Sequence, residues 1–392
     1  MKKILIVGAS AWQVPMIKKA KELGFQVGVV DYNPNAVGIA YADAYFNAST
    51  NDPEGVYKAA KEFGANGVTS VATDMPMRSI AYTCEKLGLV GITQDVAIRA
   101  TDKAEMIRAF QAHNVPHPWY YVVEKGGLDA VRDKLTYPCI CKPTDNSASR
   151  GVIVIENEQQ LTQAISYSAE NGRTGTVIVE ELLTGSEISV EAFAVDGQVH
   201  VLAITDKLTT GAPHFVEMGH NQPSRFTGET KEKIEEAAAA AMKAVGIQNG
   251  PAHVEMMVTS RGPVLIELGA RLGGDFITTD LVPLSTGVDM LGATIRLACG
   301  EKVDVSVKQP RASVIRYFKT ENGVLRGVEG IEEAMQIPGI IRVEMLKQPG
   351  EAAPPISNSL DRVGYVIAQA DTVEQAAEIC QAAQEKVHII VE

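Results

Sequence analysis

CKPTDNSASRGV, residues 141–152, is the stretch on which the reading of this chain turns, because it places a strand lysine directly before a proline and a loop of small residues. Lys142 ends the strand CICK, and Pro143 behind it aims the ammonium out of the sheet toward the loop, where a phosphate oxygen is its natural partner. The loop DNSASRG at 145–151, with Ser147, Ser149 and Gly151, offers hydroxyls and backbone N–H groups that can wrap anionic oxygens as other phosphate-binding nests do. It is not a P-loop, since G-x-x-x-x-G-K-[ST] occurs nowhere in the chain. A Ser/Asn/Gly cluster between strands is by itself an ordinary surface turn. The lysine upstream and the strand VIVI downstream make it a candidate phosphate site.

Three more segments follow in order: VEELLTGSE at 179–187, VEM at 254–256 and VLIELGARLGG at 264–274. In the first, a strand runs into a hinge. Backbone groups near Glu180 and Leu182 can read an adenine edge there, although Glu180 and Glu181 also read as a plain charged strand end. Glu255 and Glu267 sit in otherwise apolar strands, where an unpaired carboxylate is costly, so a cation is expected near them. The turn SRGP between these strands implies an antiparallel pair. A three-residue loop at 261–263 would bring both carboxylates to one face, and a two-residue turn at 261–262 would put them on opposite faces; the sequence leaves both open.

The order of these segments resembles the ATP-grasp superfamily of carboxylate–amine and carboxylate–thiol ligases, over roughly residues 1–390. PHFVEMGH at 213–220 resembles the substrate-facing segment of members related to L-amino-acid ligases and carbamoyl-phosphate-synthase-like proteins. The resemblance implies α/β and α+β architecture: an ATP-grasp fold of two lobes gripping ATP, preceded by a Rossmann-like doubly wound domain and followed by a small α/β domain. It assigns Lys142 and Lys103 to the α/β phosphates, the loop with Ser147, Ser149 and Gly151 to the triphosphate, Glu180, Glu181 and Leu182 to the adenine hinge, and Glu187 to the ribose hydroxyls. Glu255 and Glu267 become ligands of Mg²⁺, with Mn²⁺ as an alternative, which suits hard carboxylate oxygens completed by phosphate and water.

Arg271 resembles the arginine that binds the transferring phosphate and stabilises the tetrahedral intermediate, a task for a planar, permanently charged fork. By the same resemblance Gly273 and Gly274 leave room for substrate and His220 faces it. One position departs from the pattern: many members have Glu-x-Asn, and here Gly269 follows Glu267-Leu268. A water or a bidentate Glu267 replaces the missing oxygen, or the second metal is weaker. The implied activity is ATP-dependent C–N ligation of a small-molecule carboxylate and amine through an acyl phosphate, with Lys142 and Arg271 catalytic. Its alternatives are a bicarbonate-activating carboxylase of the purine-biosynthesis type and a non-catalytic nucleotide-binding protein. Related enzymes also imply a homodimer.

Bulk properties bound the rest. At 392 residues and 45% hydrophobic, the chain holds two to four domains. Three are expected: a Rossmann-like domain at 1–100, an ATP-grasp domain at 101–300 with its small lobe at about 115–190, and a C-terminal domain at 301–392. The opening alternates strands 3–8, 26–31 and 67–72 with helices 13–23, 54–63 and 76–87, then a short strand around 89–91 and a helix from about 102. Asp31 stands 23 residues after Gly8, near the spacing of a dinucleotide site, but GASAWQ lacks the later glycines of G-x-G-x-x-G. The polar stretch 205–225, with Lys207, His214, Glu217, His220 and Arg225, reads as a ligand-contacting loop between strand and helix.

A formal charge of −12 gives no bulk attraction to nucleic acid. No run approaches the roughly 18 apolar residues of a membrane span. Five cysteines, without metal-type spacing except Cys139-x-Cys141, fit a reducing cytoplasm, with Cys139 and Cys141 read as small apolar residues on one strand face.

Overall fold

The structure is a computed structural model that describes residues 1–146, 150–211, 214–308 and 310–392. Apolar runs near the N-terminus pair in parallel, giving a four-stranded sheet in the order Ala44–Asn47, Gln26–Asp31, Lys3–Val7, Gly67–Thr69. Helices Val14–Glu22, Pro53–Phe63 and Met77–Leu87 alternate with these strands. The strand expected around 89–91 does not form. Gly88 ends the preceding helix in the left-handed conformation, and the helix Gln94–Thr101 soon begins, capped by Thr93 Oγ1 accepting from Val96 N. Too few residues remain between them for a ladder.

The next sheet is antiparallel, ordered Tyr120–Val123, Val177–Glu181, Cys139–Pro143, Ile153–Ile155. Strand alternation turns Cys139, Cys141, Val177 and Val179 onto Leu161 and Ala164 of the helix Glu158–Glu170. Ile140, Lys142 and Glu180 are therefore left on the other face, toward the site. All five cysteines are buried and free.

An eight-stranded antiparallel sheet organises the remainder, in the order Gly262–Gly269, Gly250–Thr259, Ser186–Val195, Gln198–Thr209, Glu217–Gln222, Ala312–Tyr317, Gly364–Ala370, Ile340–Met345. The helix Gly228–Val245 lies on it through Ala237, Ala238 and Ala241, whose small side chains permit close approach. The last three strands belong to the segment after 301, so that segment extends the sheet the central segment begins. Residues 217–222, expected as loop, are a strand inside this sheet. Its apolar content is low, but both neighbours satisfy its backbone: Asn221 pairs with Asp206 on one side and Val314 on the other.

Arg362 ties the C-terminal segment to this sheet. Its guanidinium, 2% exposed, bonds both oxygens of Asp275 at 2.7 Å, donates to the Glu217 carbonyl at 3.2 Å and lies 3.9 Å over the Tyr317 ring. Burial opposes the charge of Asp275, but Arg362 and His220 more than offset it and hold the carboxyl well below its usual range. Arg362→Ala leaves that carboxylate without its main partner, so a loss of about 3 kcal/mol in urea-denaturation stability is expected. An unchanged midpoint would show that solvent screens the pair.

Candidate nucleotide site

The hairpin Gly250–Thr259/Gly262–Gly269 resolves the register question in a third way. Thr259 pairs with Gly262 across a two-residue turn at 260–261, a register that would put Glu255 and Glu267 on opposite faces. The pairing then shifts between Glu255 and Met256, so that Met256 faces Leu265 while Glu255 faces Glu267. Ile266 is the extra residue. This bulge returns both carboxylates to one face. Pairing with neighbouring strands extends that face: Glu255 lies opposite Ser189, Met257 opposite Glu187, and Lys207 opposite His220.

This face and the small antiparallel sheet enclose a cavity of about 420 Å³. Lys103, Lys142, Gly151, Glu180, Glu181, Leu182, Glu187, Glu255 and Glu267 all line it, as the sequence brings them forward. Ser147 and Ser149 lie outside the described residues. Gly151 takes a positive φ of 76°, and a Cβ there would sit 2.6 Å from Asn171 Cβ, so both conformation and space require glycine. Ile140, Ile153, Met257 and Ile266 supply the apolar walls a purine ring needs.

The charges in the cavity are arranged in pairs. Lys142 Nζ lies 2.6 Å from Glu180 Oε2. Lys103 Nζ lies 2.9 Å from Glu267 Oε2 and donates to the Asn146 carbonyl at 2.9 Å. Asp102 accepts from Ala104 N and Glu105 N, starting the helix that presents Lys103. Lys207, 4% exposed, meets three carboxylates: Glu187 at 2.5 Å, Glu255 at 3.2 Å and Glu217 at 3.3 Å. Burial disfavours its charge, but Glu255, Glu187 and Glu217 outweigh it and raise the ammonium well above its ordinary range. Sequence reading placed Lys207 in a ligand loop, whereas it lies on the strand Gln198–Thr209.

His253 stands between two carboxylates, with Nδ1 2.6 Å from Glu191 Oε1 and Nε2 3.1 Å from Glu255 Oε1. Burial alone would lower its pKa; Glu191 and Glu255 overturn that and raise it to about 9. The imidazolium therefore stabilises the fold fully below its ordinary 6.5, and that contribution is lost as pH rises through about 9. The urea midpoint is expected to fall more over this window in the wild type than in His253→Gln. Equal falls would remove His253 from the balance.

Four of the expected substrate-side residues lie off the cavity lining. Arg271 makes a two-point contact with Asp74, Nε to Oδ1 at 3.0 Å and Nη2 to Oδ2 at 3.2 Å. Asp74 follows the strand Gly67–Thr69 at the carboxyl edge of the parallel sheet, beside the point where strand order reverses, the usual ligand crevice of such sheets. That position was the signal by which sequence reading could have found it. A Cβ on Gly273 would sit 2.8 Å from His253 Nδ1 and 2.9 Å from Glu191 Oε2, whereas Gly274 is open, its nearest neighbour being Ala72 Cβ at 3.8 Å. His220 is buried on its strand, Nε2 3.5 Å from Asp275 Oδ2, and neither ring nitrogen has a hydrogen-bond partner among the described residues.

Sequence reading also missed Ser357, Asn358 and Ser359, which reach the cavity from the C-terminal segment. A capping box fixes that loop: Asn358 accepts from Leu360 N, and Asp361 accepts from Asn358 N. At the N-terminus, Gln13 folds back under the first turn, its amide donating to the Val71 carbonyl and its oxygen accepting from Ser10. Asp31 accepts from Ala9 N and Asn33 N. The turn where a dinucleotide pyrophosphate would lie is thus filled by this chain's own side chains.

Residues 135–280 match the model of the ATP-grasp domain, and residues 316–392 match that of L-amino acid ligase C-terminal domain 2. The chain carries an ATP-grasp domain. Alanine–anticapsin ligase of Bacillus subtilis (strain 168) is 30% identical over 277 residues, 64% of this chain and 58% of its own. Carnosine synthase 1 of Homo sapiens is 23% identical over 395 residues, 90% of this chain and 47% of its own. The chain thus spans about half the length of these two curated relatives. An L-amino acid ligase from Bacillus licheniformis superposes with a TM-score of 0.87 at 22% identity, covering 100% of this chain and 99% of that one, a likeness of fold. No helix among the described residues is long and apolar enough to cross a membrane.

Among the described residues, no three His, Cys, Asp or Glu side chains converge as a metal cluster. Glu267, opposite Glu255 and facing the ATP-grasp cavity, nevertheless offers hard oxygens that fit Mg²⁺ when phosphate and water supply the remaining ligands, whereas both oxygens of Glu255 already meet basic side chains.

Proposed function

We propose that this protein is an ATP-dependent carboxylate–amine ligase, acting on a carboxylate of the amino-acid class through an acyl phosphate. A carboxylate oxygen of the substrate attacks the γ-phosphorus of ATP, and the bond to ADP breaks. The amine nitrogen then attacks the acyl carbon, phosphate leaves with the C–O bonding pair, and the nitrogen loses a proton. The observation that carries this reading is the convergence of Lys103, Lys142, Glu187, Glu255 and Glu267 on one cavity, with Arg271 close enough for Glu255 and Glu267 to stabilise its charge. Alanine–anticapsin ligase and carnosine synthase 1 among the chain's relatives support it.

In this scheme the walls at Ile140 and Met257 hold the purine, Glu187 accepts from the ribose, and Lys142 and Lys103 turn from their carboxylate partners toward phosphate oxygens. Glu267, with Glu255 opposite it, would hold Mg²⁺, which would supply screening of the phosphate charge. Arg271, which is paired with Asp74 off the cavity lining, would turn from it toward the charge that develops on the transferring phosphoryl group, which a guanidinium fork matches in two-point fashion. Such catalysis rests on positioning and electrostatics, so no nucleophilic triad is needed.

The test is ADP and phosphate release from ATP with each amino acid singly and in pairs, with bicarbonate plus amines as a separate arm. Release that requires two amino acids, together with a condensed product by mass, is expected. Release with bicarbonate alone would replace the ligase reading by the carboxylase. ATP binding without release in any arm would favour a non-catalytic protein.

A further inference from the structure

The carboxylates facing the nucleotide cavity are not equally available to a metal. Both oxygens of Glu255 are engaged by basic side chains, Oε2 by Lys207 at 3.2 Å and Oε1 by His253 at 3.1 Å. Glu267 pairs with Lys103 through Oε2. Lys207 is also held by Glu187 and Glu217, so three strands besides its own fix its ammonium in place. A divalent ion drawing on Glu255 would have to displace it or share the carboxylate with a like charge.

The second place from which a metal ligand could come is position 269, on the face that carries Glu255 and Glu267. Gly269 pairs with His253 and has no side-chain oxygen. Nor is space left for one: a Cβ there would lie 2.9 Å from Asp74 Oδ1 and 3.1 Å from Arg271 Nε. The Arg271 guanidinium brings further positive charge to this end of the row.

We propose that Lys207 is a resident cation of this site, standing in for a second divalent ion, so that the protein binds one divalent cation tightly with the nucleotide, at Glu267. The inference rests on the ligase reading for the presence of nucleotide and goes beyond it in metal count and in the role of Lys207. Lys207 is a positioning residue: its ammonium holds Glu187, Glu217 and Glu255 together, three carboxylates that would otherwise repel one another.

The test counts Mn²⁺ on the full-length protein saturated with ADP, from the free Mn²⁺ signal in electron paramagnetic resonance, with ADP binding followed separately by calorimetry. One tightly held Mn²⁺ per ADP-bound chain is expected for the wild type and for Lys207→Arg. Lys207→Met is expected to double that count. Two Mn²⁺ of comparable affinity on the ADP-bound wild type would overturn the proposal while leaving the ligase reading intact, and this arm needs no variant to fold. A Lys207→Met protein that binds ADP with a single Mn²⁺ would also overturn it. Absence of ADP binding in the wild type would sink the ligase reading, and this one with it.

Discussion

Replacing Arg271 with lysine is expected to lower turnover by about two to three orders of magnitude, the range seen when one donor to a developing oxyanion is removed. Lysine keeps the charge and loses the fork. The Arg271–Asp74 contact uses Nε and Nη2 together, which shows that the side chain is already oriented to present a planar edge to two oxygens. Burial opposes the charge, and Asp74, Glu255 and Glu267 more than offset it, so the guanidinium stays ionised throughout any usable pH range. A lysine ammonium can meet one Asp74 oxygen but cannot span both and keep a second edge for phosphate. Stability will fall as well, because the link to the N-terminal sheet is weakened. Asp74→Asn therefore serves as the control: it weakens the same link and spares the fork. Near-normal turnover in Arg271→Lys, with a lowered unfolding midpoint in both variants, would make Arg271 structural.

The sequence exposes those parts of the site whose chemistry is local. Lys142 before Pro143, the small-residue loop and the two glutamates in apolar strands each carry their signal within a dozen residues. Asp74 carries only its place after a parallel strand, and its partner stays hidden, since it meets Arg271 across 197 positions once the sheet places its loop beside the hairpin. Arg362 and Ser357–Ser359 are hidden for the same reason. The bulge at Ile266 is invisible for another: a register shift depends on how both strands pair along their length, and nothing in VLIELG marks the extra residue. His220 was misplaced because GHNQP carries turn-forming types. The strand there is held by its neighbours and not by its own propensity.

Glu267→Gln is expected to abolish measurable turnover while ADP affinity falls by less than about tenfold, because groups that act on charge in the transition state cost rate more than ground-state binding when removed. Glutamine preserves the shape of the side chain, so the bulge and the packing of Ile266 should survive. What changes is charge. Lys103 loses the carboxylate that does most, against burial, to hold its ammonium above the ordinary value, and it keeps its bond to the Asn146 carbonyl and the weaker attraction of Asp74 and Glu180. Glu255 cannot compensate, since Lys207 and His253 already engage both its oxygens. Its replacement by glutamine should also cost turnover, and a smaller drop there than in Glu267→Gln is the ordering this geometry predicts. Calorimetry with ADP and steady-state rates on the two variants read binding and turnover separately. Turnover that persists in Glu267→Gln would take Glu267 out of the reaction and leave its pairing with Lys103 as a structural contact.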